Sequence, residues 1–149
     1  MNIVEHSNDS NLQPLPKRRL PFKYELGSMV LASLLGTYSD LYFVGKGYYR
    51  FPLRPFSRIF TINLAFTLVA LPIMTLLILR CISPLTKWGK AGVILLVSLL
   101  MPIFERLAEL LGLFTHSDSW NHLYSFFGYG LFLSIVVLFH EWMGKRMRE

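Results

Sequence analysis

The chain has 149 residues, of which 53% are hydrophobic and only 16% are charged, and its mean hydropathy is +0.44. A soluble domain carries about a quarter charged residues, and here the apolar residues form long blocks, so the composition predicts a membrane protein with one bundle and no second domain. The net charge of +6 does not indicate a nucleic-acid partner, because the Lys and Arg residues lie between the apolar blocks, where they determine topology and contact lipid head groups.

The first 25 residues are predicted to form a flexible cytoplasmic tail, because they combine polar side chains with three prolines and cannot bury enough apolar surface. The block at about 26–44 predicts the first transmembrane helix. Within it, Ser28, Ala32 and Gly36 recur every four residues and predict a groove where a neighbouring helix approaches closely.

The stretch GKGYYRFPLRPFSR follows, in which basic residues alternate with aromatic ones. Its two prolines block a regular helix, and its aromatic and arginine side chains suit the headgroup region. We therefore expect an interfacial linker along the membrane surface, with Arg50, Arg54 and Arg58 in contact with lipid. A loop that grips a substrate or a lipid is the alternative.

Two further apolar blocks predict the second and third transmembrane helices. The second, at about 59–80, has no charge before Arg80, and Pro72 should kink it while neighbours satisfy the freed carbonyl group. The third, at about 90–114, is apolar only as far as Phe104. Since that part is too short to span a bilayer, the helix must continue to Phe114 and carry Glu105 into or beside the hydrocarbon region.

The fourth transmembrane helix is predicted at about 120–142, followed by a basic C-terminal tail at 144–149. Trp88, Trp120 and Trp142 fall at segment ends, as expected of an interfacial aromatic belt in contact with lipid. Four spans put ten Lys and Arg residues on the side of the termini and five on the other, which favours cytoplasmic termini in a multi-pass membrane protein. His140 and Glu141 are interpreted as interfacial residues.

Together these blocks predict an all-α integral membrane protein with a bundle of four transmembrane helices. Its most informative feature is a group of ionisable side chains beside the lipid, where charges are costly. On a helix Glu105 and Glu109 share a face, which Gly112 and His116 would extend. The predicted polar intramembrane cluster consists of Asp40, Asn63, Glu105, Arg106, Glu109 and His116.

Three interpretations of this cluster remain open. It can be a satisfied polar network that sets helix register, a site where carboxylates bind a proton, a cation or a substrate head group, or an acid–base or metal site with a histidine. The third is the weakest, because the sequence has no nucleophile motif, HExxH, P-loop or Gly-rich dinucleotide loop. Accordingly, no catalytic residue, metal ligand or cofactor is predicted, and the single Cys81 excludes an intrachain disulfide.

The sequence therefore favours a non-enzymatic structural or partner-binding membrane component. The alternative is a transporter that handles a small solute, a proton or a lipid through the carboxylates of Glu105 and Glu109. The expected partners are the lipid bilayer and either a second copy of the chain or another membrane protein.

A resemblance to a known family is carried by LLGTYSDLYFVGKGYYRFPLRPFSRIFTINLAF, the later ERLAELLGLF, the Trp120–Asn121 pair and His140. These stretches resemble the uncharacterised CBO0543-type family of small integral membrane proteins from spore-forming Gram-positive bacteria. The resemblance implies a bacterial plasma-membrane protein of four or five helices and implies no activity.

Overall fold

A computed structural model of the chain describes residues 22–118 and 120–146. The predicted tail up to residue 21 and the last three residues lie outside this part. The regular elements of the described chain are helices, apart from two short strands. The elements are α1 (Phe22–Gly45), β1 (Tyr49–Arg50), a π-helical turn (Phe66–Ala70) that leads directly into α2 (Leu71–Ile82), α3 (Lys87–Leu110), β2 (Thr115–His116) and α4 (His122–Arg146).

Successive helices run in opposite directions. Glu25 at the start of α1 pairs with Arg80 at the end of α2 at 3.0 Å, and Lys90 near the start of α3 pairs with Glu141 near the end of α4. We call this the terminal end of the bundle. The opposite end, which we call the loop end, holds the strands. Helix α1 packs against α2 and α4, and α4 packs against α3, whereas α2 and α3 make little contact.

Helix α1 begins at Phe22, so residues 22–25, predicted to belong to the tail, are helical. The predicted small-residue groove is confirmed as a place of close approach. Ser28 and Ala32 are completely buried, and a Cβ atom added at Gly36 would lie 2.3 Å from Cδ2 of Leu71. Small side chains therefore let α1 contact both of its neighbours.

The second helix begins later than the predicted residue 59. The side-chain oxygen of Asn63 accepts a hydrogen bond from the backbone N–H of Phe66 at 3.2 Å, so this residue caps the helix instead of lying within it. A π turn then precedes Pro72, and the N–H of Leu71 donates to Phe66. Because a proline has no N–H to donate, the Thr67 carbonyl is left without a helical partner. The hydroxyl of Ser33 in α1 donates to it at 2.8 Å.

Helix α3 ends at Leu110, not at the predicted Phe114. Gly112 adopts a positive φ of 69°, its N–H donates to Glu109, and the N–H of Leu113 donates to Ala108, both at 2.9 Å. This is a Schellman motif, which terminates a helix at a glycine. The prediction that His116 extends the face of α3 is therefore wrong.

The two strands join the loops that follow α1 and α3. Tyr49 pairs with His116 and Arg50 with Thr115 in an antiparallel register, and the Ser117 N–H donates to the Tyr48 carbonyl at 2.8 Å. The linker after α1 is thus paired to a distant part of the chain, a long-range contact that sequence periodicity does not reveal.

The interior of the bundle combines apolar side chains with several polar ones, and its exterior is mainly apolar. Its buried polar residues are Ser28, Asp40, Thr67, Thr75, Ser98, Ser125 and His140, and most large apolar side chains are exposed. Two helices, Lys87–Leu110 and Leu123–Arg146, are long and apolar enough to cross a membrane. Only 11% and 28% of their most apolar stretches are buried, unlike the core helices of a soluble domain. The second of them includes Gly144–Arg146, predicted to be tail.

Candidate functional site

A cavity of about 670 Å³ opens at the loop end. Its walls come from the last turns of α1, the linker and strand β1, the π turn and start of α2, and α3 and α4. The walls are mainly apolar and aromatic. Asp40 of α1 and Glu105 of α3 are the two acidic residues among the described lining residues, which include no Lys or Arg.

Asp40 is buried, with 9% of its surface exposed. Its Oδ1 accepts a hydrogen bond from the Tyr49 hydroxyl at 2.7 Å. Its Oδ2 has no hydrogen-bond partner in the described part of the chain. Burial raises the pKa of the Tyr49 phenol well above its usual range, and the nearby Asp40 carboxylate adds to that effect. Tyr49 therefore remains a hydrogen-bond donor, and one carboxylate oxygen of Asp40 is left for another donor.

Glu105 is held by groups from α4 and the loop before it. Its Oε2 accepts a hydrogen bond from the Ser125 hydroxyl at 2.5 Å, and Ser125 Oγ accepts one from Trp120 Nε1 at 3.2 Å. Tyr129, one turn after Ser125, also interacts with the Glu105 carboxylate. The orientation of Glu105 is thus set by a chain of donors, unlike the single contact of Asp40.

Aromatic rings form the wall beside the carboxylates. The ring centroid of Trp120 lies 5.5 Å from Phe43, 5.9 Å from Tyr48 and 5.7 Å from Tyr49, mostly edge to face. Tyr49 also packs with the buried Phe51 and Phe114. These contacts fall in the range that favours aromatic pairs, so the wall is a packed cluster rather than a set of independent side chains.

Among the contacts of the described residues, the predicted polar cluster separates into different groups. Arg106 Nη1 lies 3.0 Å from Glu109 Oε2, and His116 Nε2 lies 3.1 Å from Glu109 Oε1. None of these three residues lines the cavity. Glu109 lies outside the cavity because it is in the last turn of α3, one turn beyond Glu105. Asn63 is a helix cap, so only Asp40 and Glu105 share the cavity.

The predicted lipid-contacting residues separate into two groups. Trp88 and Trp142 are exposed, and Arg50 and Arg58 are exposed in the linker. By contrast, Arg54 donates hydrogen bonds to the carbonyl groups of Phe51, Ser57 and Phe60 and so shapes the linker. Trp120 belongs to the cavity wall. Contact with lipid stays a prediction for all six of these residues.

Sequence reasoning did not select Tyr49, Ser125 or Tyr129 as site residues. Ser125 and Tyr129 are four apart and share a helical face, a signal available in the sequence but present in many helices. The sequence interpreted His140 as an interfacial residue. This residue is buried at the terminal end, with Nδ1 3.1 Å from Ser28 Oγ.

Comparison of the chain with protein-family models, with curated proteins and with solved structures finds no match. Membership of the CBO0543-type family, which the resemblance implies, stays a prediction. Within the described residues, no group of three or more His, Cys, Asp or Glu side chains is arranged to hold a metal ion.

Proposed function

We propose that this protein is a multi-pass plasma-membrane protein that binds a small solute in the cavity at the loop end, as part of transport or other solute handling. The observation that carries this proposal is the cavity of about 670 Å³ with the unpaired carboxylate oxygen of Asp40 in its wall. Pockets for small ligands are of this size, mainly apolar, with a few convergent polar groups.

The apolar exterior supports the membrane part of the proposal. Exposed leucine, isoleucine and phenylalanine side chains surround the bundle. Contact of such a surface with water is unfavourable, whereas contact with lipid is not. The apolar helix Phe66–Ile82 is about 26 Å long at 1.5 Å per residue, close to the thickness of a bilayer core. We propose that all four helices span the membrane with both termini in the cytoplasm, since Lys and Arg are more numerous on that side.

The solute-binding carboxylates in this proposal are Asp40 and Glu105. The sequence suggested Glu105 and Glu109, but Glu109 lies outside the cavity, where its carboxylate contacts Arg106 and His116. Acidic side chains inside a membrane are energetically costly and therefore rare. Those that face a cavity are typical of transport sites, where they bind a ligand or a proton.

Trp120 offers a direct test, because it lines the cavity while Trp88 and Trp142 are exposed elsewhere. The full chain with Trp88→Phe and Trp142→Phe keeps Trp120 as its only tryptophan. We expect at least one member of a panel of anionic, neutral and cationic solutes to change its fluorescence saturably in liposomes.

The matched control is the chain with Trp120→Phe, which retains Trp88 and Trp142. A solute that merely enters the bilayer should affect both proteins alike. If no member of the panel changes the Trp120 signal beyond the control, the cavity is not a solute site and the proposal fails.

The second candidate is the structural or partner-binding component favoured by the sequence. Helix α3 supports it, because most of its large apolar side chains are exposed and a second membrane protein could cover them. We expect such a component to purify in mild detergent with a partner or as a stable oligomer. A monodisperse monomer would argue against this candidate.

A further inference from the structure

We infer that the cavity takes a protonated organic amine with an aromatic body. The inference rests on the proposed function, because it names the class of solute that the same cavity would bind. Its starting point is the Oδ2 atom of Asp40, which belongs to a residue more than nine-tenths buried and has no hydrogen-bond donor in the described part of the chain.

A buried carboxylate oxygen without a donor is costly, because it has lost water and gained nothing in exchange. The Tyr49 hydroxyl satisfies only the other oxygen, Oδ1. A ligand with an N–H group and a positive charge supplies the missing hydrogen-bond donor and neutralises the buried negative charge. Such charge-assisted hydrogen bonds are the strong ones that a carboxylate can form.

The charged residues of the cavity also favour a positively charged solute. Asp40 and Glu105 both face it, and the described lining residues include no Lys or Arg. Glu105 already accepts a hydrogen bond from Ser125, so it attracts a cation over a longer range while Asp40 makes the direct contact. An anionic solute would meet two carboxylates and, among the described lining residues, no Lys or Arg.

The aromatic walls indicate an organic cation instead of a metal ion. Phe43, Tyr48 and Trp120 pack together on one side of the cavity, and such rings attract an ammonium group over their faces and an aromatic body along their edges. A metal ion would instead need several oxygen or nitrogen ligands. The cavity volume also accommodates a body larger than an inorganic ion.

The ligand should carry at least one N–H group. A quaternary ammonium ion offers the same charge to the rings but has no hydrogen to donate to Asp40 Oδ2. A primary amine should therefore bind more tightly than its trimethylated counterpart, and this order separates direct pairing with Asp40 from attraction by the aromatic wall alone.

The test uses the Trp120 reporter protein in liposomes and four probes with one common body: 4-phenylbutylamine, its N,N,N-trimethyl derivative, 4-phenylbutanol and 4-phenylbutyrate. We expect the amine to bind at least tenfold more tightly than the alcohol and the carboxylate, and more tightly than the trimethyl derivative. Asp40→Asn should weaken amine binding at least tenfold and leave alcohol binding unchanged. Glu109→Gln and Asp118→Asn, which alter carboxylates outside the cavity, should leave both unchanged.

The order of the four affinities in the wild-type protein tests the inference even if Asp40→Asn fails to fold. Glu105→Gln provides a second variant, and we expect it to weaken amine binding severalfold. Binding of the alcohol or carboxylate as tightly as the amine would overturn the amine assignment and leave the solute site standing. Tighter binding of the trimethyl derivative would overturn the pairing with Asp40. Failure of all four probes, with binding of another solute of the broader panel, would also overturn only the amine assignment.

Discussion

Tyr49 has two roles in this molecule, one through its backbone and one through its hydroxyl. The backbone pairs with His116 in the short sheet, and the hydroxyl donates to Asp40 in the cavity wall. The hydrogen bond to the acid thus comes from a residue that the pairing of two loops holds in place. This arrangement explains why the sequence identified Asp40 as a notable residue but not Tyr49, which looks like one more aromatic residue of an interfacial linker.

The first prediction concerns the Tyr49 hydroxyl. Tyr49→Phe should lower the stability of the protein in detergent at neutral pH by about 1–3 kcal/mol, because it leaves both oxygens of a buried carboxylate without a donor. Thermal unfolding measures the change. The matched control is Tyr38→Phe, which alters an exposed ring of α1 and should have little effect.

The effect of Tyr49→Phe on stability should also depend on pH in the alkaline range. Burial raises the pKa of the Tyr49 phenol above its ordinary value of 10.0 in the folded state, so its contribution to stability is fully present below about pH 10. As the pH rises further, the unfolded phenol loses its proton first and the contribution is lost. The stability difference between wild type and Tyr49→Phe should therefore shrink above pH 10, and a constant difference would contradict the assignment.

At the scale of elements, the π turn before α2 shows how the bundle accommodates Pro72. The turn leaves the Thr67 carbonyl without a helical donor, and Ser33 of α1 supplies one. The sequence predicted the disturbance by Pro72 and the need for a neighbouring donor. It could not identify Ser33, because the choice depends on how α1 and α2 are rotated against each other.

Removal of this donor gives the next prediction. Ser33→Ala should destabilise the protein by about 1–3 kcal/mol, because a buried carbonyl then loses its partner. Ser134→Ala is the matched control, since that hydroxyl donates to Gly130 within its own helix and removes no contact between helices. Equal unfolding temperatures for the two variants would show that the Ser33 contact contributes nothing.

A third prediction tests the close approach of the same two helices. Gly36→Ala should be less stable than Gly92→Ala by about 1 kcal/mol, because the new methyl group would lie 2.3 Å from the end of the Leu71 side chain and force it to move. Gly92→Ala in α3 meets no atom within 4 Å and should be neutral or slightly stabilising, since alanine favours a helix. A Gly36→Ala variant as stable as Gly92→Ala would contradict the packing of α1 on α2.

For the whole molecule, the number and order of the helices follow from the apolar blocks, but their ends do not. The sequence predicts a third helix that reaches Phe114, because the apolar part that ends at Phe104 is too short to span a bilayer. Instead, helix α3 begins earlier, at Lys87, and stops at the Gly112 motif. Long-range contacts were also beyond prediction, since neither the strand pair nor the contact of Ser125 with Glu105 leaves a periodic signal.

The proposed topology gives a fourth prediction. In a Cys81→Ser background, Ser83→Cys reports the terminal end, and Asp118→Cys reports the loop end; both positions are exposed. A membrane-impermeant thiol reagent should label Asp118→Cys in intact cells or spheroplasts and Ser83→Cys only in inverted vesicles. The reverse pattern would place the termini outside, and labelling of both from one side would argue against four spans.

The pairing of β1 with β2 has a consequence for how the protein is made. A ribosome delivers the linker after α1 long before it delivers Thr115 and His116, and the whole of α2 and α3 lies between them. Until the chain has been made as far as His116, Tyr49 has no strand partner and the loop end is incomplete. Assembly of the loop end is therefore a late event in biosynthesis, and chains released before β2 should carry an unpaired, protease-sensitive linker.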